Sequence, residues 1–278
     1  MRKFFTTMFQ AKGGPNIECF SLLHFMYLIL IVGLTIGLAF IIKNKSDKVK
    51  KITLNVLAIA AIAVYIADFF IMPLARGGED IDTDKLPFHF CTFIGIMIPF
   101  AQFNKKMKPD SSFKEAVTAI GLATSLMYIC YPGSALGGIG AFSYKVVQTF
   151  VFHGLVFSWC VISLSTGATK FNFKNIWKPL VGIAAIIVWG WFGNIVWSGT
   201  KHSFDWCFVT GSLLPVHPAL MTFIVLVAVF GMCAILYSID LVTRIVAKKI
   251  ANKKKASEKV DLIENAVIED NAAEETAE

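Results

Sequence analysis

The stretch FSLLHFMYLILIVGLTIGLAFIIKNKSDKVKK, residues 20–51, decides the fold. It opens with an apolar run of about 22 residues, long enough for an α-helix to cross a hydrocarbon core of ~30 Å at ~1.5 Å per residue. It closes with KNKSDKVKK, residues 43–51, which holds five lysines. Lysines gather where a span meets the cytosolic surface, so this one stretch encodes both a crossing and its direction. The apolar run exceeds the length of a cleaved signal peptide's core and is expected to persist as a helix.

The same pattern recurs along the chain. Of 278 residues, 56% are hydrophobic and only 16% charged, with a mean hydropathy of +0.65; soluble domains carry about a quarter charged residues. Seven apolar windows predict spans at 20–42, 52–73, 86–103, 114–131, 144–166, 176–197 and 216–245. The third and fourth are short, and the last is longer than a bilayer requires, so it tilts or projects. The expected architecture is all-α, a seven-helix transmembrane bundle over 20–245. Residues 1–19 precede it as an extracytoplasmic segment, and a flexible tail, basic and then acidic, follows at 246–278. No internal repeat or second folded domain is evident.

Charge sets the orientation. Lysine and arginine collect after the first, third, fifth and seventh spans, 19 of the 26 in total. Arg2, Lys3, Lys12, Arg76, Lys85 and Lys201 lie on the other side, and Lys145 sits at a span edge. Every alternate loop agrees, which predicts an N-out, C-in topology. The net charge of +7 is then an orientation signal facing anionic lipid, not a nucleic-acid footprint. A composition rich in Lys, Ile, Phe and Ala suits a bacterial plasma membrane.

On this topology the polar side chains fall unevenly. His24, Tyr65, Asp68, His89, Cys91, Tyr128, Cys130, His153, Asn194, His202, Asp205, Cys207 and His217 all map to the outer half. An unpaired charge in hydrocarbon is costly, so such residues face a bundle interior or a water-filled cavity. Their grouping predicts a polar cavity opening outward. His202 and His217 also suit separate contacts with lipid headgroups. The inner half of each span is nearly free of ionisable groups.

LPFHFC, residues 86–91, lies at the mouth of the third span. Proline is favoured in a first helical turn. There the free N–H groups and the helix dipole favour a thiolate, which makes Cys91 a candidate nucleophile. His89 and Cys91 are about 200° apart on a helix and point to opposite faces, so a base for Cys91 must come from another helix. His153, in the apolar setting QTFVFHGLVF, is the candidate, and Gly154 beside it permits close helix approach. The bland readings stay open: an interhelical hydrogen bond for His153, an inert small hydrophobe for Cys91.

Other chemistries are less well supported. His24, Asp68, His89 and His153 include the donor types of a zinc or iron site, but no pair has i, i+4 spacing and no H-E-x-x-H occurs. The six cysteines include no C-x-x-C. The seventh span has no lysine in its apolar part for a Schiff base. The loop GGEDIDTD, residues 77–84, has no closing EF-hand glutamate and reads as solvated. No cofactor or metal is required.

FSLLHF (20–25), LPFHFC (86–91), YPGSALGGIGAFSYKVVQTFVFHG (131–154) and GNIVWSGTKHSFDW (193–206) together resemble the YwaF-type bacterial integral membrane proteins, in the family's order, over roughly residues 20–240. That family in turn resembles eukaryotic transmembrane lysophospholipid acyltransferases and, more distantly, intramembrane hydrolases of fatty-acid esters. The resemblance implies a cysteine acyl carrier at Cys91 and a histidine partner at His153, with His24 and His89 at further family positions. Many bacterial members have an acidic residue directly after the cysteine, where this chain has Thr92. The activity implied is acyl transfer, or acyl-ester hydrolysis, on membrane phospholipid or lysophospholipid. Cys91 would carry the fatty acyl chain as a thioester, and backbone N–H groups, Thr92 or Asn194 would hold the oxyanion. The alternatives are a small-solute transporter or channel with an outer vestibule, a metal- or haem-binding protein, and a ligand-sensing receptor.

Overall fold

The structure is a computed structural model that describes residues 17–75, 85–104, 108–109, 111–132, 140–200, 204–211, 214 and 216–275, with backbone alone at 72, 75, 251 and 253–275. The loop at 77–84 and His202 lie outside the described residues. The helices are α1 Leu22–Lys43, α2 Asp47–Ala75, α3 Phe90–Phe103, α4 Ser112–Cys130, α5 Tyr144–Ser165, α6 Trp177–Val196 and α7 Pro218–Glu275. Short 3₁₀ turns occur at Phe173–Asn175 and Trp206–Phe208. Among the described residues there is no β-strand.

Each expected span has its helix, with three informative shifts. α2 begins at Asp47, five residues before the apolar window, because Asp47 in the first turn pairs with Lys50 at 3.3 Å and suits the positive helix end. α3 begins at Phe90, not near Leu86, because His89 is extended (φ −89°, ψ 154°). That leaves 14 helical residues, about 21 Å of rise and short of a full crossing. Six helices are long and apolar enough to cross a membrane, and α3 is the short apolar helix beside them. The last helix runs past the expected end of its span at 245, as far as Glu275.

The chain divides into two units, Met1–Leu236 and Tyr237–Glu278. In the second unit, Asp240 and Arg244 form an i, i+4 ion pair at 2.8 Å.

In the first unit, α4 and α5 are central. Buried residues make up 67% and 72% of their most apolar windows, against 11% for α1. α5 packs on α1, α2 and α4, while α4 also packs on α3 and α6. Glycines set the closest approaches: the Phe152 ring lies over Gly95, Ile94 and Cys160 over Gly121, and Ile120 over Gly182. The periphery is apolar, with Leu22, Ile29, Leu34 and Phe40 of α1 all more than 60% exposed. Lipid, not water, solvates such a surface. This is a multi-pass membrane protein.

The lysine-rich end is not bare of polar groups. Gln102 Nε2 donates to Asn55 Oδ1 (2.8 Å) and Trp159 Nε1 donates to Gln102 Oε1 (3.3 Å), tying α2, α3 and α5 together. Glu115, fully buried at the start of α4, accepts from Asn172 N–H (2.6 Å) and Asn175 Nδ2 (3.0 Å), anchoring the α5–α6 connection. These are fixed pairings, each satisfying groups that would otherwise be costly to bury.

Candidate functional site

LPFHFC is a clamped helix entrance. Phe88 seats its ring on Gly193, where an added Cβ would lie 2.6 Å from Cγ of the ring, and it packs against Trp189 and Trp206 with centroids 5.1 Å away. Trp189 Nε1 donates to the Pro87 carbonyl (2.8 Å). Across the mouth, Asn194 brackets Trp206: its Oδ1 accepts from Trp206 N–H (2.8 Å), and its Nδ2 donates to Trp206 O (3.2 Å). Those bonds hold the 204–208 loop on the entrance.

His89 and Cys91 diverge, although His89 is extended and outside the helix, so helical phase does not relate them. His89 N-caps α3 and turns to the 204–208 loop, where its Nδ1 accepts the Cys207 N–H (3.1 Å) and its ring contacts Phe204 and Phe208. Cys207 and Phe208 both adopt left-handed φ, 59° and 56°, an uncommon conformation for non-glycine residues. The Cys207 thiol donates to the Phe88 carbonyl (3.0 Å). Burial above all, and then Cys91 and Asp205 nearby, push the Cys207 thiol up from its ordinary value, against the Phe90 N–H, which pulls it down.

Cys91 is the second residue of α3, half-buried, within the first turn as expected. Its thiol is hydrogen-bonded to Thr124 of α4. The Thr124 hydroxyl itself donates to the Ile120 carbonyl (2.8 Å), so its oxygen is left to accept.

His153 is buried at 6% exposure. Its Nδ1 lies 2.8 Å from the Thr149 carbonyl, which can only accept. The proton therefore sits on Nδ1 and the lone pair on Nε2. The ring stacks on Tyr128 of α4 with centroids 3.7 Å apart and meets Phe152 edge-on at 5.2 Å. Lys85 and His89 are within electrostatic reach.

Thus α4 joins the two candidate residues. Cys91 contacts Thr124 and His153 stacks on Tyr128, which are i, i+4 neighbours, about 5–6 Å apart at Cβ. The thiol and the imidazole share one face of α4, a helical turn apart. They are not hydrogen-bonded to each other: the thiol is on Thr124 and Nδ1 is on Thr149.

The other expected site residues have structural partners. His24 is fully buried; its Nδ1 accepts the Phe20 N–H (2.9 Å), so its Nε2–H donates to the Ile129 carbonyl (2.8 Å). Thr92 Oγ1 donates to the His89 carbonyl (3.0 Å). Asp68, 3% exposed, pairs with Lys85 at 3.0 Å and is hydrogen-bonded to Tyr144, while the Tyr65 hydroxyl donates to the Lys85 carbonyl (2.7 Å). The metal alternative does not assemble. Both His24 nitrogens are on backbone groups, and among the described residues no three His, Cys, Asp or Glu side chains converge.

Reading the sequence overlooked Thr124 and Tyr128 as partners of the pair, and Lys85 as the partner of Asp68. The i, i+4 spacing of Thr124 and Tyr128 was the available signal, but it says nothing of which helices face them.

No curated protein and no solved structure matches this chain. One family does, the TMEM164 family, over residues 19–239, a range that takes in α1 to α6, the first part of α7, and both Cys91 and His153. With most of its length matched, this chain of membrane-crossing helices belongs to the TMEM164 family.

Proposed function

We propose that the protein is an acyltransferase or acyl-ester hydrolase of membrane phospholipid or lysophospholipid, with Cys91 as nucleophile and His153 as general base. The single observation that carries this reading is the shared α4 face: the thiol on Thr124, and one turn on, an imidazole whose proton is held on Nδ1 so that Nε2 is free as a base. The resemblance to YwaF-type proteins and transmembrane lysophospholipid acyltransferases points to the same two residues.

The steps balance without a cofactor. The Cys91 thiol must turn from Thr124 to reach His153 Nε2, which then takes its proton; resting geometries of this kind are commonly loose. The thiolate attacks the acyl carbonyl, and the tetrahedral intermediate expels the lysolipid oxygen, which takes the proton back from His153. A thioester remains on Cys91. A lipid hydroxyl or water then attacks it, His153 removes the attacker's proton, and the restored thiol regains it. The Thr92 hydroxyl and Asn194 amide, both occupied structurally, are poorly placed as oxyanion donors. That task falls to backbone N–H groups in the first turn of α3. Lys85, within electrostatic reach of the imidazole, is paired with Asp68, which offsets its charge there.

The same reading takes seven crossings, N-out and C-in, in a bacterial plasma membrane. The lysine clusters at 43–51 and 104–114 share one side only if α3 completes a crossing, with the turn residues ahead of it making up its short length. A small-solute conduit is the competing reading, and the Asn55–Gln102–Trp159 chain is what favours it. Those groups bond one another across helices, which suits glue better than a path.

The experiment is acyl labelling. Purified protein is incubated with an alkyne-bearing phospholipid, and label on Cys91 is read with and without mild hydroxylamine, which cleaves thioesters and is expected to remove it. Label on wild type and none on Cys91→Ser supports the reading. No label on wild type, or equal label on Cys91→Ser, overturns it. Solute uptake into proteoliposomes without new lipid would favour the conduit.

A further inference from the structure

We propose that Cys19 and Cys130 are the two halves of a disulfide, a staple joining the chain just ahead of α1 to the last residue of α4. The thiol of Cys19 lies 3.9 Å from the Cys130 carbonyl oxygen across a sequence separation of 111 residues. The two thiols are within electrostatic reach of each other. A disulfide needs Cβ atoms about 3.5–4.5 Å apart, and a thiol that already touches its partner's main chain is a side-chain rotation or small backbone shift from that geometry.

The approach is imposed by the chain on both sides of Cys19. On one side Ile17, 1% exposed, is sunk in a cluster with Ala141, Val146 and Phe150. On the other, His24 is bonded to the Phe20 N–H and to the carbonyl of Ile129, the residue next to Cys130. Ser21 caps α1 and also accepts from the Glu18 N–H at 3.4 Å. Neither cysteine needs a new backbone path to reach the other.

Access fits this pair. Cys130 is exposed and Cys19 half-buried, as is Cys91, whose thiol is on Thr124, whereas Cys160, Cys207 and Cys233 are buried. On the N-out topology proposed above, on which this inference rests in the cell, both face an oxidising compartment. The oxidant is a disulfide compound, protein or small molecule. One thiolate attacks its sulfur and releases one thiol. The second cysteine then attacks the mixed disulfide and releases the other. Two protons and two electrons leave the cysteine pair, and the oxidant is reduced to two thiols. The staple closes two residues from Tyr128, whose ring lies on His153, so oxidation stiffens the helix end that holds the imidazole.

The test uses the full chain, reduced, freed of reductant and incubated with glutathione disulfide. After denaturation, free thiols are counted by maleimide mass shift and peptides are mapped. The expected result is a loss of two maleimide adducts from the six cysteines, no retained glutathione, and a Cys19–Cys130 linked peptide. Cys19→Ser is expected to leave a glutathione adduct on Cys130 and no linked peptide. The oxidised chain is also expected to melt at a higher temperature, reversed by reductant. Full maleimide labelling, or glutathione on both cysteines of wild type, overturns the proposal. Because the count needs no lipid, a linked peptide without acyl label on Cys91 keeps the staple and removes the acyl-transfer reading. Acyl label without a linked peptide does the reverse.

Discussion

Tyr128 lies flat on His153, with ring planes 8° apart and centroids 3.7 Å apart. With Nδ1 held by Thr149, the stack leaves the imidazole little rotational freedom and aims Nε2. Tyr128→Phe keeps the aromatic face and is expected to retain acyl labelling of Cys91. Tyr128→Leu removes the face and is expected to slow labelling by about 10²-fold, the cost of a small misplacement of a catalytic group. The check is the labelling rate on protein of equal folded yield.

His153→Gln tests the base itself. Glutamine keeps a polar side chain but offers no basic nitrogen, so thioester formation is expected to fall by roughly 10²–10⁴-fold, the usual contribution of general acid–base catalysis. Thermal unfolding of the variant, followed by aggregation onset, distinguishes lost chemistry from a lost fold.

Gly193 and Gly182 make a graded pair. A Cβ at Gly193 would meet the Phe88 ring at 2.6, 2.7 and 2.9 Å, and that ring is wedged between Trp189 and Trp206. A Cβ at Gly182 would meet only the Cδ1 tip of Ile120, which can turn aside. Gly193→Ala is therefore expected to cost about 1–3 kcal/mol through overpacking, and Gly182→Ala less. Gly33→Ala, with nothing within 4 Å, is the control. The measurement is the thermal midpoint of each variant in one detergent.

Asp68→Asn leaves the half-buried Lys85 ammonium without its countercharge. Breaking one side of such a pair costs about 3–5 kcal/mol, whereas removing both partners is often close to neutral. The double variant Asp68→Asn/Lys85→Met is thus expected to be more stable than Asp68→Asn alone. Lower stability of the double variant would mean that the pair contributes net stability.

Asn194→Ala removes both bonds to the Trp206 main chain, about 1–3 kcal/mol at an enclosed position, and loosens the 204–208 loop. Cys207 is fully buried and its thiol is held protonated, so in the wild type it is expected to resist maleimide at pH 8. The variant is expected to expose it, read as a new adduct on the Cys207 peptide. The sign with pH follows from the raised thiol: above about pH 9 the unfolded chain holds fewer protons at this site than the folded one, so its contribution to stability falls as pH rises.

The amino-acid sequence by itself determined that each apolar window is helical, because an apolar run of bilayer length is a local property. It also put Cys91 near the start of α3, since the apolar run opens there, but not His89 outside the helix. The 14-residue length of α3 was not legible, because it turns on the extended backbone at His89, which the Cys207 N–H and the Phe88–Gly193 wedge hold from elsewhere in the chain. Nor was the division of the polar residues. His24, Asn194 and Asp68 look as reactive as His153 when read in a row, yet the fold commits them to Ile129, Trp206 and Lys85. Only tertiary structure decided that, because a buried polar group is defined by the partner it meets, and those partners lie 12 to 105 residues away in the chain.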